Sequence, residues 1–202
     1  MDAVIIATKN KGKAKEFAEM FASFGLDVET LLDHPEFADI EETGETFEEN
    51  AILKAEAICK LTGRLVIADD SGLIIDALDG RPGVYSARYA GEEKSDEANI
   101  QKVLDELRDI PNEKRTARFY CALAIAMPGK ETTTVAGTCE GRMTKEKQGT
   151  NGFGYDPIFY VERFGATMAD LAPETKNSIS HRGQALKKLR EQLPALLEGD
   201  AK

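Results

Sequence analysis

The first apolar run, Ala3 to Ala7, is continuous over five residues, which suits a short strand covered on both faces. The spacing then changes. Ala14, Phe17, Ala18, Phe21 and Phe24 lie on one face of a helix, and Gly25 stops it. Asp27 to Leu32 alternates well enough for a second strand. A strand, polar loop, helix and strand in that order suit a parallel crossover.

Residues 33–46 form an acidic loop. A helix follows, with Thr46 and Glu49 in the positions of a capping box and Phe47, Ala51, Ala55 and Ile58 as its apolar face. Gly63 ends it, Leu65 to Ala68 reads as the next strand, and Asp69-Asp70-Ser71-Gly72 stands at that strand's C-terminal end. Glycine and proline punctuate the loop from Asp79 to Gly91. A helix capped by Ser95 shows Ile100, Val103, Leu104 and Leu107 on one side.

Arg118 to Met127 is apolar on both faces and reads as a central strand, turned at Pro128-Gly129 into a partner over Thr132 to Thr138. Pro157 to Val161 is a further strand, and the last helix runs from Arg182 towards Leu197 with Ala185, Leu186, Leu189 and Leu193 inward. The pattern is α/β with a mixed sheet. No repeat, low-complexity tract or linker divides it, so residues 1–202 are expected to form one domain.

Composition and charge narrow the function classes. Hydrophobic residues at 42% and charged residues at 31% describe a globular chain and argue against disorder or a coiled coil. No apolar run reaches membrane-spanning length, and the N-terminus does not read as a signal peptide. Twenty-six basic against thirty-six acidic residues leave a net charge of −10, the wrong sign for an extended nucleic-acid surface. A polyphosphate ligand would therefore need a local lysine cluster or a metal. Cys59, Cys121 and Cys139 are scattered and odd in number, so neither a disulfide framework nor a zinc site is expected. The expected location is the cytoplasm.

Several segments hold candidate chemistry. Thr8-Lys9-Asn10-Lys11-Gly12-Lys13 joins a strand to a helix N-terminus, where amide groups, the helix dipole and lysines favour an anion. It is not a Walker A loop; an ordinary surface loop is the alternative. Asp69 and Asp70 follow an apolar strand, where open α/β sheets bind ligands, and two adjacent acids call for a cation such as Mg²⁺. The alternative there is an acidic turn that caps the next segment. Glu41, Glu42 and Glu45 could add a ligand, and spacing does not choose among them. Lys54 lies beside an apolar stripe, entering a cleft or snorkelling to solvent. Gly152-Phe153-Gly154-Tyr155-Asp156-Pro157 suits a base-stacking platform, although taken alone such a segment is more often a tight turn with its Phe in the core. Lys176, His181 and Arg182 cluster at the start of the last helix.

Together these segments resemble the inosine triphosphate pyrophosphatase family over nearly the whole chain. The likeness rests on ATKNKGK (7–13), EETGETFEENAILKA (41–55), ADDSGL (68–73), GRPGVYSARYAG (80–91), GTNGFGYDPIF (149–159) and KNSISHRGQAL (176–186). Lys9 and Asn151 stand where relatives often carry glycine.

The resemblance implies an elongated mixed β-sheet with flanking helices, and two lobes around a central nucleotide-binding cleft. It also implies a homodimer, a Mg²⁺ requirement and hydrolysis of inosine or xanthosine triphosphate and their deoxy forms to monophosphate and pyrophosphate. By position, Thr8, Lys9, Asn10, Lys11, Gly12 and Lys13 hold phosphate, assisted by Lys54. Glu41 and Asp70 match metal ligands, Asp70 also the general base, and Ser71 a substrate contact. Phe153, Gly154, Tyr155, Asp156, Lys176, His181 and Arg182 match the base-binding set. The competing readings are a Maf-type pyrophosphatase acting on pyrimidine or modified nucleotides, a nucleotide sensor without turnover, and a nucleic-acid binder.

Overall fold

Strand β1 (Val4–Ile6) is wholly buried, as a strand covered on both faces must be. The computed structural model of the chain describes residues 3–22 and 27–198, and the side chains of all of these except 20 and 193–198. Phe24, Gly25 and the side chain of Leu193, named above from the pattern, lie outside the described set.

Helix α1 (Lys11–Ala22) starts at Lys11 rather than Ala14 because Asn10 caps it. The Asn10 side-chain oxygen accepts from the Lys13 amide at 3.0 Å, and its carbonyl accepts from the Ala14 amide at 2.9 Å. Phe17 and Phe21 are buried as expected, but Ala18 is exposed and Glu16 is buried in its stead. Strand β2 (Val28–Thr30) is shorter than the expected 27–32. Asp33 ends it by accepting from the Thr30 amide at 2.8 Å and the Thr30 hydroxyl at 3.0 Å.

Helix α2 (Phe47–Thr62) carries the expected capping box between Thr46 and Glu49, and Gly63 closes it in the left-handed region at φ 64°. Strand β3 (Val66–Ile75) corrects the sequence reading. It does not end at Ala68 but runs on through the acidic pair, because Leu73 and Ile75 continue the buried pattern beyond it.

Helix α3 (Asp96–Glu106) is capped by Ser95 and leads to β4 (Thr116–Ala126) and β5 (Thr133–Met143). The connection 127–132 is too short for a crossover, so these sheet neighbours run antiparallel. Strands β6 (Phe159–Val161) and β7 (Ala166–Thr167) and helix α4 (Pro173–Ile179) precede α5 (His181–Glu198). Neither β7 nor α4 is legible in the pattern; a two-residue strand has no period, and α4 buries little besides Lys176.

Among the described residues, one seven-stranded sheet has the order β2-β1-β3-β4-β5-β6-β7. The pairs of β1 with β2 and β3 are parallel, and those of β6 with β5 and β7 antiparallel. The sheet is thus mixed and the fold α/β.

The chain forms two compact units from interleaved segments. The first comprises Met1–Asp70, Cys121–Gly137 and Arg182–Lys202; its core includes Ile6, Phe17, Phe21, Ile67, Leu123 and Leu189. The second comprises Ser71–Tyr120 and Thr138–His181, with a core that includes Leu73, Ile75, Val103, Phe119, Phe159 and Met168. Because strands β3, β4 and β5 each pass from one unit to the other, no break in composition marks a boundary.

Among the described residues, Arg115 is the largest fully buried side chain. Its guanidinium donates to the carbonyls of Met143 at 2.9 Å, Leu107 at 2.6 Å and Thr144 at 2.6 Å. Backbone dipoles, the end of α3 among them, thus take up its charge.

Candidate functional site

In the first unit the loop after β1 sorts its residues by exposure. Thr8 is buried and its hydroxyl accepts from the Asn10 amide at 3.2 Å. Lys9, Asn10 and Lys11 are exposed, and the Lys9 ammonium is held by the Phe37 carbonyl at 2.7 Å and Asp39 at 2.9 Å. Lys13, one turn into α1, reaches Asp69 Oδ1 at 2.8 Å. Gly12 between them is half-buried.

The acids on β3 do not share one site. Side chains on a strand alternate between faces, so Asp69 and Asp70 point to different neighbours. Asp69 meets Lys13, the Arg182 Nε at 3.4 Å and the Cys121 thiol at 3.9 Å. Asp70 meets Lys54, whose ammonium is 3.6 Å from Asp70 Oδ1 and 2.5 Å from Glu42 Oε1. Arg182, in turn, donates to Glu16 at 2.7 Å. Lys13, which is half-buried, and the buried Asp69, Arg182 and Glu16 therefore form a chain of alternating charge, net neutral.

Those neighbours set the titration of each group. Burial alone would push Asp69 up, but Lys13, Arg182 and Lys54 together outweigh it and hold the carboxyl well below the usual range. Asp70 goes the other way. Burial raises it, Lys54 and Lys13 only partly oppose that, and Glu42 and Asp69 reinforce it. A carboxyl raised above its ordinary value is a better proton acceptor than one held down by its partners. Burial disfavours charge on Lys54, yet Asp70, Glu42 and Asp69 outweigh it and raise its pKa.

In the second unit, Asp156 organises the glycine-bounded turn. Its Oδ2 accepts from the Phe153 amide at 2.9 Å and from the Lys176 ammonium at 2.7 Å, with both Asp156 and Lys176 buried. That ammonium lies 5.0 Å from the centre of the half-buried Phe153 ring. Gly152 has φ 78°, and a Cβ there would sit 2.0 Å from Asp156 Oδ2, so only glycine fits. Tyr155 is buried and donates to the Ser86 carbonyl at 2.7 Å, which places it in the framework of the turn. His181 is buried with its ring stacked on Phe119 at 4.9 Å. Ser71 is half-buried at the start of this unit.

The sequence-derived set is thus brought together in two groups. Lys13, Lys54 and Asp70 assemble in the first unit, and Phe153, Asp156 and Lys176 in the second. Arg182, expected beside the base, is engaged by Glu16 and Asp69. Glu41 is exposed, and its neighbour Glu42 is the residue that reaches Lys54. Glu16 was missed: an acid three residues after Lys13, beside Phe17 on the inward face, was its only signal.

Metal binding can be tested on the donor set. Among the described residues no three His, Cys, Asp or Glu side chains gather as a complete cage. The carboxylates of Asp70 and Glu42 are hard oxygen donors with an ammonium already between them, so the place suits a cation. Two carboxylates, with water and phosphate oxygens filling the rest, match the way Mg²⁺ is ordinarily held.

The Ham1 family model matches residues 4–192. A dITP/XTP pyrophosphatase of Bacillus cereus is 58% identical over 202 residues, covering 99% of this chain and 98% of that one. One from Halalkalibacterium halodurans is 62% identical over 185 residues, 92% of this chain and 95% of that one. Among solved structures, the Ham1 protein of Staphylococcus aureus has a TM-score of 0.84 at 48% identity, covering 98% of this chain and all of that one. A HAM1 protein from Coxiella burnetii has a TM-score of 0.86 at 43% identity, with 96% of this chain covered and all of the other.

Proposed function

The chain belongs to the Ham1 family, and on that premise we propose that it hydrolyses dITP, ITP and XTP to the monophosphate and pyrophosphate. The observation that carries the chemistry is the arrangement on β3. Two successive buried carboxylates face opposite ways, one binding Lys13 and the other beside Lys54.

Cleaving the α–β phosphoanhydride bond needs an in-line water and positive charge for the departing pyrophosphate. The Thr8–Lys13 loop, the positive end of α1 and the ammonium groups of Lys13 and Lys54 supply charge and grip the phosphates. Asp70, with its raised pKa, orients the water and accepts its proton. Asp69, held ionised by Lys13 and Arg182, keeps Lys13 in position. Asp70 and Glu42, rather than the expected Glu41, would hold Mg²⁺, which when bound adds charge stabilisation for the leaving group. The cysteines are buried, and burial foremost, then Asp69, lifts the Cys121 thiol far above its ordinary range. Direct attack by water, without a covalent enzyme intermediate, follows.

The base is read in the second unit. Phe153 offers a ring for stacking, and Lys176, oriented by Asp156, offers a donor to the 6-oxo group of hypoxanthine or xanthine. Adenine presents an amino donor there and would leave the buried ammonium poorly matched, a mismatch that can be worth about 10⁴ in selectivity. Arg182 contributes mainly through Glu16 and Asp69 in this reading, with His181 beside it in the chain. Work in the cytoplasm as a homodimer belongs to the same proposal; among the described residues no helix is long and apolar enough to cross a membrane.

Pyrophosphate release from inosine, xanthosine, guanosine, adenosine and pyrimidine triphosphates, with Mg²⁺ and with EDTA, tests the reading. Metal-dependent release from the first two is expected. A preference for pyrimidines would move the chain to Maf-type chemistry, and tight binding without release would make it a sensor.

A further inference from the structure

The turn that carries Phe153 has a glycine on each side of the ring. Gly152 and Gly154 both have positive φ, 78° and 58°, and glycine at such positions leaves the chain many alternatives. Three ties hold it. The Phe153 amide donates to Asp156, and Tyr155 donates to the Ser86 carbonyl. In the third, the Gly154 amide donates to Asp96 Oδ2 at 2.8 Å, and Asp96, like Ser86, lies outside the segments assigned to the base.

Asp96 opens the first turn of α3, just after the Ser95 cap, whose side chain accepts from the Ala98 amide at 3.2 Å. Its neighbour Glu97 binds Lys147 through both oxygens at 2.8 Å, a second link from this helix end to the segment before the turn. Further along α3, buried Asn99 accepts from the Ala90 amide at 2.7 Å and donates to the Ala87 carbonyl at 3.0 Å. That contact holds the 83–90 segment, whose Ser86 carbonyl receives Tyr155. Helix α3 thus grips the turn directly at Gly154 and indirectly at Tyr155.

We propose that Asp96 is a positioning residue for purine selection: it fixes the 152–156 turn in the conformation in which Phe153, Asp156 and Lys176 meet the base. This rests on the functional reading above. Losing the Asp96 acceptor spreads the turn over several conformers, and affinity falls with the fraction that remains competent. The energy lost is that of one charge-assisted bond at the surface, so the effect is of modest size.

The test compares Asp96→Ala and Asp96→Asn with the wild type. Asp96 is exposed, so both variants are expected to fold. Asp96→Ala should raise KM for ITP about three- to tenfold with kcat within about twofold, leave kcat/KM for ATP unchanged, and so narrow the ITP-to-ATP ratio by the same factor. Asn keeps an acceptor oxygen but loses the charge that favours the helix end, so recovery of most of the ratio by Asp96→Asn separates the tie from helix stability. An equal loss for ITP and ATP, or a lowered Tm with an unchanged ratio, overturns the proposal. The same ratio is read from equilibrium binding of inosine and adenosine monophosphates. If turnover is absent the functional reading falls, while the binding ratio still decides the role of Asp96.

Discussion

Consecutive residues on a strand face opposite ways, so Asp69 and Asp70 carry different chemistry although one peptide bond separates them. Asp69 is held ionised among Lys13 and Arg182; burial raises the Asp70 pKa, and Lys54 and Lys13 only partly oppose it. Glu16 closes the charge balance on the Asp69 side. Without it, buried Arg182 and Lys13 share one carboxylate, and removing one member of a buried ion pair costs about 3–5 kcal/mol. Glu16→Leu should lower stability by roughly that amount, and Glu16→Gln by about 1–3 kcal/mol because its amide oxygen still accepts from Arg182. Urea denaturation midpoints measure both, and a Glu16→Leu variant as stable as the wild type would show that Arg182 does not need this partner.

At the scale of elements, β2 is anchored by a small cluster of its own. Glu29 accepts from Arg64 at 2.8 and 3.1 Å and from His34 at 2.8 Å, while His34 also meets Glu36 and stacks on Phe37. The Phe37 carbonyl in turn holds Lys9, so this cluster supports the Thr8–Lys13 loop proposed to bind phosphate. Bonding to Glu29 foremost raises the His34 pKa above 6.5, with burial opposing and Glu36 adding to it. Hydrogen bonds from Arg64 and then His34 bring Glu29 down to about 2. A histidine raised in the folded state contributes stability in full below its unfolded pKa of 6.5 and loses it as pH rises through the folded value. Thermal midpoints between pH 6 and about 9 should therefore fall more steeply in the wild type than in His34→Gln. Parallel pH profiles for the two proteins would contradict this.

For the whole molecule, much of the architecture is legible in the spacing of apolar residues. The α2 capping box, the apolar faces of α2 and α3 and the paired strands β4 and β5 follow from period and caps. What the pattern misses has physical causes. The second half of β3 hides behind Asp69 and Asp70, because polar residues on a buried strand break the pattern that marks its first half at Leu65 to Ala68. Short β7 and α4 have too few residues to show a period. The site is legible as motifs but not as pairings: which acid meets which lysine depends on strand facing, so Glu42 rather than Glu41 reaches Lys54, and Glu16 enters from α1. Two interleaved units escape a linear reading because three long strands belong to both. The central claim is that Asp70 performs the proton transfer for cleavage at the α–β bond. Pyrophosphate release from dITP by the wild type and Asp70→Asn, with Mg²⁺ present, tests it most directly. The variant should remain folded and lose about 10² to 10⁴ in kcat, the usual worth of a general base; a folded variant within a few-fold of the wild-type rate would contradict the account.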